Sequence, residues 1–175
     1  MYPLLQLFLE ITAFRKGPQD VPSVGWLLPF VLLIYVAINV AIVLLNGDFL
    51  TALMQVALDF GLMIAFIWPL LFVSDKLARF RQTLTALLGV DAVINFFALP
   101  AVLSLNNEAT DLGFFAMLLM MLWHWAVTGH ILRYALDRPL FFSLGLAFLY
   151  LLISSQVMEA LFPVPVVAIA PSADL

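Results

Sequence analysis

The feature that most constrains this chain is a series of five long apolar stretches separated by short polar turns. Each stretch is about 20–25 residues long, and a helix of that length crosses a hydrocarbon core about 30 Å thick. Backbone N–H and C=O groups in lipid must be paired within their own segment, so we predict that all five stretches are helices. The predicted spans are residues 24–45, 49–73, 83–103, 112–132 and 140–161, within a transmembrane domain of residues 24–162.

The composition agrees with a membrane protein. The chain has 175 residues, of which 65% are hydrophobic and 10% are charged, and its mean hydropathy is +1.14. A soluble domain of this size has too little interior to bury so much apolar surface. The net charge of −4 argues against a nucleic-acid partner, since phosphate binding needs a basic face. The sequence therefore predicts an all-α integral membrane bundle of five transmembrane helices, surrounded by the lipid bilayer.

Residues 1–23 are predicted to be a cytoplasmic amphipathic segment followed by a turn. Apolar side chains recur there at helical spacing, at Leu4, Leu7, Phe8, Ile11 and Phe14. This pattern is typical of an amphipathic helix lying in the membrane interface, and a helix packed against the bundle is the alternative. Two prolines and a glycine in residues 17–23 end the helix. The segment lacks the basic start of a signal peptide.

The basic residues define the predicted orientation. When five spans are threaded through a membrane, all seven lysines and arginines fall on the side of the N-terminus. They are Arg15, Lys16, Lys76, Arg79, Arg81, Arg133 and Arg138. Because basic loops stay in the cytoplasm, we predict a cytoplasmic N-terminus in the inner membrane, with residues 163–175 as an outward-facing, periplasmic tail.

Four polar residues form a candidate cluster inside the membrane: Asp59, Asp91, Asn95 and His124. Asp59 lies about 15 Å from the outer end of its span, His124 at nearly the same depth, and Asp91 about 12 Å from the inner end of its span. An ionised carboxylate at that depth costs several kcal/mol unless it is paired or faces water. Two interpretations stay open. The residues form a proton or cation relay or a polar substrate site, or they form a satisfied cluster that fixes helix register, with Gln55 as a further partner.

The sequence predicts no cofactor and no metal. The two histidines, His124 and His130, are six residues apart on one helix and face directions about 120° apart, so they do not bind one haem iron within the chain. A haem shared between two copies and a metal site of His124, Asp59 and Asp91 are the alternatives. The absence of cysteine excludes disulfides, thiolate catalysis and cysteine-based haem attachment. The chain also has no phosphate-binding glycine loop, no nucleophilic-serine motif and no His-Glu-x-x-His motif, so we predict that it is not an enzyme.

Two short motifs and the topology carry a family resemblance. The first span is preceded by Gly17-Pro18-Gln19-Asp20-Val21-Pro22, and the third span begins with Arg81-Gln82-Thr83-Leu84-Thr85-Ala86-Leu87-Leu88-Gly89. With five spans and a cytoplasmic N-terminus, the chain resembles the Yip1-like family of small membrane proteins. The resemblance implies an integral membrane protein that acts through partners, without catalytic residues.

We therefore expect a non-enzymatic structural, accessory or interaction subunit, whose partners are other membrane proteins or a second copy of the chain. The alternative is a transporter or a proton- or cation-conducting module that uses Asp59, Asp91 and His124. Transporters often contain inverted repeats and broken helices, and five spans do not divide into two equal halves. This argument favours the first hypothesis for a monomer.

Overall fold

Helices account for all the regular secondary structure in the part of the chain that the structure describes. The computed structural model describes residues 2–45, 47–107 and 111–163. Its six α-helices are α1 (Tyr2–Thr12), α2 (Leu27–Val43), α3 (Phe49–Val73), α4 (Phe80–Asn107), α5 (Asp111–Leu136) and α6 (Leu140–Leu161). Short 3-10 turns at Pro18–Asp20 and Leu77–Arg79 precede α2 and α4. The all-α prediction is confirmed for the described residues, and the predicted tail lies outside them except for Pro163.

Four of the described helices are long and apolar enough to cross a membrane. They are α3, α4 together with the turn before it, α5 and α6, at 22 to 27 residues each. The predicted first span of residues 24–45 is shortened at both ends, because α2 begins only at Leu27 and has 17 residues. The structure thus shows a multi-pass membrane protein with four helices of spanning length, while a fifth span stays a prediction.

Local chemistry explains where several helices begin and end. Asp48 accepts hydrogen bonds from the backbone N–H groups of Leu50 and Thr51, which caps the start of α3. Asp75 and Asp137 adopt positive φ angles of 56° and 51° shortly after α3 and α5. Aspartate tolerates this left-handed conformation better than most residues do, so the chain turns away at both positions.

α4 is the central helix of the bundle. Every residue of α4 from Thr83 to Ala92 is buried. α1, α2, α3 and α5 all pack against α4, and α6 packs against α3 and α5. A polar side chain on the buried part of α4 therefore meets other side chains rather than lipid.

α1 packs against the bundle through its apolar face. Leu7, Phe8 and Ile11 are buried, and all three belong to the main hydrophobic core. The indole N–H of Trp123 on α5 donates a hydrogen bond of 3.0 Å to the carbonyl oxygen of Thr12 at the end of α1. This bond satisfies a carbonyl group that the helix end leaves without an intrahelical partner. The structure thus adopts the packed arrangement, which was the alternative to a helix lying in the interface.

Side-chain contacts gather the basic loops at one end of the bundle. Lys76 and Arg79, between α3 and α4, both form ion pairs with Asp137, between α5 and α6. Arg81 donates a hydrogen bond of 3.2 Å to the carbonyl oxygen of Gly25, just before α2. The segment before α2, the α3–α4 loop and the α5–α6 loop therefore lie together, and we call this the basic end.

Candidate functional site

Asp91 lies at the centre of a polar cluster inside the bundle. Only 5% of its surface is exposed. Its Oδ2 accepts hydrogen bonds from the side-chain amides of Asn39 on α2 and Asn95 on α4, each at 3.0 Å. Its Oδ1 lies 3.6 Å from Nε2 of His124 on α5. Three helices thus supply polar contacts to one carboxyl group.

The two asparagines form a closed hydrogen-bonding unit with Asp91. Asn95 also donates to Oδ1 of Asn39 at 2.9 Å, and Asn39 also donates to the backbone carbonyl of Tyr35 at 3.0 Å. Each side-chain amide has two N–H donors, so all four donors are used. The helical period explains the arrangement, because Asp91 and Asn95 lie one turn apart on α4 and Tyr35 and Asn39 lie one turn apart on α2. Each pair therefore presents its groups on one side of its helix.

Asp59 on α3 forms the second half of the cluster. Its Oδ2 accepts a hydrogen bond of 2.6 Å from the hydroxyl of Tyr35 on α2, and its Oδ1 accepts one of 3.2 Å from the hydroxyl of Ser154 on α6. Tyr35 is fully buried. Its hydroxyl and its backbone carbonyl contact different halves of the cluster, so it connects Asp59 to Asn39. Among the described residues, no hydrogen bond or ion pair joins Asp59 directly to Asp91.

The structure brings three of the four predicted residues into direct contact. They are Asp91, Asn95 and His124, whereas the hydrogen bonds of the described residues connect Asp59 to them through Tyr35 and Asn39 of α2. The depth of a residue along its span can be counted from the sequence. The direction that it faces depends on how each helix is rotated in the bundle. Asp59 faces α2 and α6, which separates it from the other three.

Hydrogen bonds of the described residues add three further members to the cluster: Tyr35, Asn39 and Ser154. Asn39 is the only amide side chain of α2 and therefore gave a signal in the sequence. Tyr35 gave none, because a tyrosine in an apolar helix is expected to pack through its ring. Gln55, which the sequence offered as a partner, forms no side-chain hydrogen bond within the part of the chain that the structure describes.

Asp91 Oδ1 is the cluster atom best placed to exchange a proton. Oδ2 is engaged by two N–H donors, so a proton on this carboxyl group would sit on Oδ1, which faces His124. The His124 side chain is 26% exposed, and it is the more accessible member of the pair. The groups of the cluster can therefore carry a charge or a proton. Their hydrogen bonds can equally serve to stabilise the packing of the helices.

Mostly apolar side chains surround His124 on the side toward the basic end. A cavity of about 10 Å³ borders His124 there, which is room for at most about one water molecule. Its other lining residues are Met63, Phe66, Ile67, Leu87, Thr128, Leu132 and Tyr150. This cavity is too small to hold a chain of water molecules.

His130 lies away from the cluster. Its Nε2 is 3.0 Å from the carbonyl oxygen of Lys16, and its ring packs edge-on against Phe14 and Tyr134. These contacts attach the segment after α1 to the part of α5 that lies near the basic end. Among the described residues, no group of three or more histidine, aspartate or glutamate side chains is arranged to hold a metal ion.

Comparison with known proteins gives no match to the chain. No protein-family model, no curated protein and no solved structure is significantly similar to it. The resemblance to the Yip1-like family therefore stays a prediction based on topology and two short motifs. The fold and the cluster define the class by themselves: a multi-pass, all-helical membrane protein with two carboxyl groups held inside its bundle.

Proposed function

We propose that this protein is a non-enzymatic integral membrane protein that serves as a structural, accessory or interaction subunit in the inner membrane. The observation that carries the proposal is that the polar side chains of the cluster bond to one another across the bundle. Their helices are α2, α3, α4, α5 and α6. Interhelical hydrogen bonds in membranes contribute about 0.6 kcal/mol each on average, and a connected set fixes the rotation of every helix. Such a cluster has a structural role that needs no substrate.

A fifth crossing by α2 is part of the proposal. α2 starts next to Gly25 at the basic end, and Asp48 begins α3 shortly after α2 has ended. α3 then returns to Lys76 at the basic end, so α2 and α3 run in opposite directions. The 17 residues of α2 give a length of about 25 Å. A membrane accommodates a helix that is a few ångströms short by local thinning.

The proposed orientation puts the basic end in the cytoplasm. Arg81 and the ion pairs of Lys76 and Arg79 all lie at this end. The sequence between α2 and α3 and between α4 and α5 contains no lysine or arginine. Because basic loops are retained in the cytoplasm, this asymmetry supports a cytoplasmic N-terminus and a periplasmic C-terminus.

The proposed partners are other membrane proteins or a second copy of the chain. This part of the proposal rests on the resemblance to the Yip1-like family, which implies action through partners. The sides of the bundle suit contact with other apolar surfaces, since α5 and α6 expose large side chains such as Leu112, Phe115 and Phe141. Cross-linking in native membranes followed by affinity purification is expected to capture another membrane protein or the dimer.

Proton flux in proteoliposomes tests the proposal against conduction. We expect the wild type to give no pH-driven flux above protein-free liposomes, and Asp91→Asn and His124→Gln to melt at lower temperature than the wild type. Glu159→Gln, an exposed change of the same kind on α6, is the control and is expected to melt like the wild type. Flux that Asp91→Asn abolishes while the protein stays folded would overturn the structural role.

A proton- or cation-conducting module is the second candidate. It is favoured by one observation, the pairing of His124 Nε2 with Oδ1 of Asp91, an oxygen that accepts no hydrogen bond from the other described residues. Histidine and carboxyl side chains both bind and release protons, so such a module would carry flux when a pH gradient is applied across the membrane. Under this candidate, His124→Gln and Asp91→Asn remove the flux and Asp59→Asn reduces it, with all three variants still folded.

A further inference from the structure

An apolar groove runs along the outside of the bundle between α1, α2 and α4. Its volume is about 520 Å³. Its walls include Leu5 and Leu9 of α1, Ile34 and Ile38 of α2, and Val93 and Phe97 of α4. Leu5, Leu9, Ile34 and Phe97 are exposed, so the groove opens to the surroundings of the bundle. Neither the polar cluster nor the proposed function explains this groove.

We propose that the groove binds one acyl chain of an anionic phospholipid. The groove follows α4, a helix long and apolar enough to cross a membrane, so hydrocarbon is the medium outside it. Its volume of about 520 Å³ lies within the range of about 300–1,000 Å³ that ligand pockets in proteins occupy. All of its lining residues are apolar, which suits a hydrocarbon chain rather than a polar ligand.

The position of Arg81 argues for an anionic headgroup. Arg81 precedes Gly89, a residue of the groove, by about 12 Å along α4. Its guanidinium contacts the carbonyl of Gly25, five residues before Phe30 of the groove wall on α2. The exposed guanidinium therefore lies beyond the basic end of the groove. A guanidinium has five N–H donors, so it bonds a lipid phosphate while keeping the contact with Gly25.

An exposed tryptophan lies at the same end of the groove. Trp26 packs edge-on against Phe30, with ring centroids 6.0 Å apart. Tryptophan is enriched at the level of lipid headgroups, where its ring meets both water and hydrocarbon. Trp26 and Arg81 therefore place the headgroup level at this end, with the acyl chain extending from there along α2 and α4.

α1 makes the groove concave. Without α1, the side of α2 and α4 would be an ordinary lipid-facing surface. With Leu5 and Leu9 of α1 as an outer wall, an acyl chain contacts three helices at once. Burial on several sides is what distinguishes a binding site from a surface. We therefore expect the bound lipid to remain with the protein when the surrounding lipid is exchanged for detergent.

Native mass spectrometry of the detergent-purified protein tests the proposal. Phosphatidylglycerol is the anionic probe and phosphatidylcholine, with the same acyl chains, the neutral one. We expect the wild type to retain one phosphatidylglycerol per chain. Ile34→Trp fills the groove and is expected to remove most of this adduct. Leu33→Trp is the matched control, since Leu33 is the neighbouring residue on α2, is 68% exposed and does not line the groove.

Two further variants test the groove wall on α1 and the headgroup contact separately. Leu5→Trp fills the groove from α1 and repeats the test if Ile34→Trp does not fold, as judged by its melting temperature. Arg81→Gln is expected to lower the preference for phosphatidylglycerol over phosphatidylcholine about fivefold, the effect of one basic residue near a membrane surface. A wild type that retains no lipid, or folded groove variants that retain as much lipid as Leu33→Trp, would overturn the site. Equal retention of both lipids by the wild type would overturn the anionic headgroup.

Discussion

The ring of Phe8 on α1 occupies the space that a side chain at Gly89 on α4 would need. A Cβ atom placed at Gly89 would overlap the Phe8 ring. Phe8 and Gly89 are both buried, and α1 crosses α4 at this point. The glycine therefore allows α1 to pack closely on the central helix.

Gly89→Ala is expected to destabilise the protein through this contact. Overpacking a tight site lowers the free energy of unfolding by about 1–3 kcal/mol, so the melting temperature should fall. Gly61→Ala on α3 is the matched control, because no described atom lies within 4 Å of a Cβ atom there. Alanine in a helix is up to about 1 kcal/mol more favourable than glycine, so this control should melt at the same temperature or higher. If Gly89→Ala melts like the control, the close packing of α1 is wrong.

Asn39→Ala is expected to weaken the polar cluster. The change removes two donors and one acceptor and leaves Asp91 with one amide contact fewer. Loss of partners for a buried polar group costs about 1–3 kcal/mol in the free energy of unfolding. Gln55→Ala is the control, since Gln55 forms no side-chain hydrogen bond within the described residues, and its effect should stay within about 0.5 kcal/mol. Thermal unfolding in one detergent compares the two, and equal losses would argue against the described network.

Trp123→Phe is expected to release the end of α1. The change keeps an aromatic ring but removes the N–H that donates to Thr12, at about 1 kcal/mol. Hydrogen exchange measured by mass spectrometry should therefore become faster in α1. Trp125→Phe removes a comparable bond to Leu144, which joins α5 to α6, and should leave exchange in α1 unchanged. Unchanged exchange of α1 in Trp123→Phe would mean that the apolar contacts alone hold the helix.

The Asp137→Asn variant is expected to be less stable than the wild type at neutral pH but equally stable in acid. The hydrogen bond from Lys76, followed by that from Arg79, lowers the pKa of the Asp137 carboxyl group from 3.8. A carboxyl group with a lower pKa in the folded state stabilises the fold above its unfolded pKa, and this contribution disappears as the pH falls through the folded pKa. The difference in melting temperature between wild type and variant should therefore be small but measurable at pH 7, and it should vanish in acid once the pH falls below the folded pKa, which lies under 3.8.

Asp75→Asn provides the control for this pH dependence. Asp75 has a positive φ angle like Asp137, and asparagine tolerates that conformation at both positions. Among the described residues, Asp75 forms no ion pair. We expect Asp75→Asn to melt like the wild type at both pH values. A difference for Asp137→Asn that persists in acid would contradict the role of the ion pairs.

The sequence predicted the long helices because their lengths depend on local composition. α3 and α6 have the bounds of the predicted spans at residues 49–73 and 140–161. The basic loops meet at one end, as alternating spans require. α4 and α5 extend beyond the predicted spans of residues 83–103 and 112–132, whereas α2 falls short of its predicted span. Residues 24–26 are apolar or small and fit a span by composition, but they do not join α2.

The contacts within the cluster could not be predicted from the sequence, because they depend on how each helix is rotated in the bundle. Asp59 and His124 lie at similar depths, yet Asp59 faces Tyr35 and Ser154 while His124 faces Asp91. A similar limit applies to α1. Its apolar stripe fits a lipid surface and a protein surface equally well, and the choice depends on Gly89, which is far away in the sequence.

The central position of α4 dictates an order of events while the chain is being synthesised. Asn39 is made before Asp91, so the α2–α4 amide contacts can form as soon as α4 emerges. His124 arrives only with α5, and until then one side of Asp91 faces lipid or a helper protein. Newly made chains that stop after α4 should therefore be the species that membrane insertion factors hold longest, and the arrival of α5 should release them.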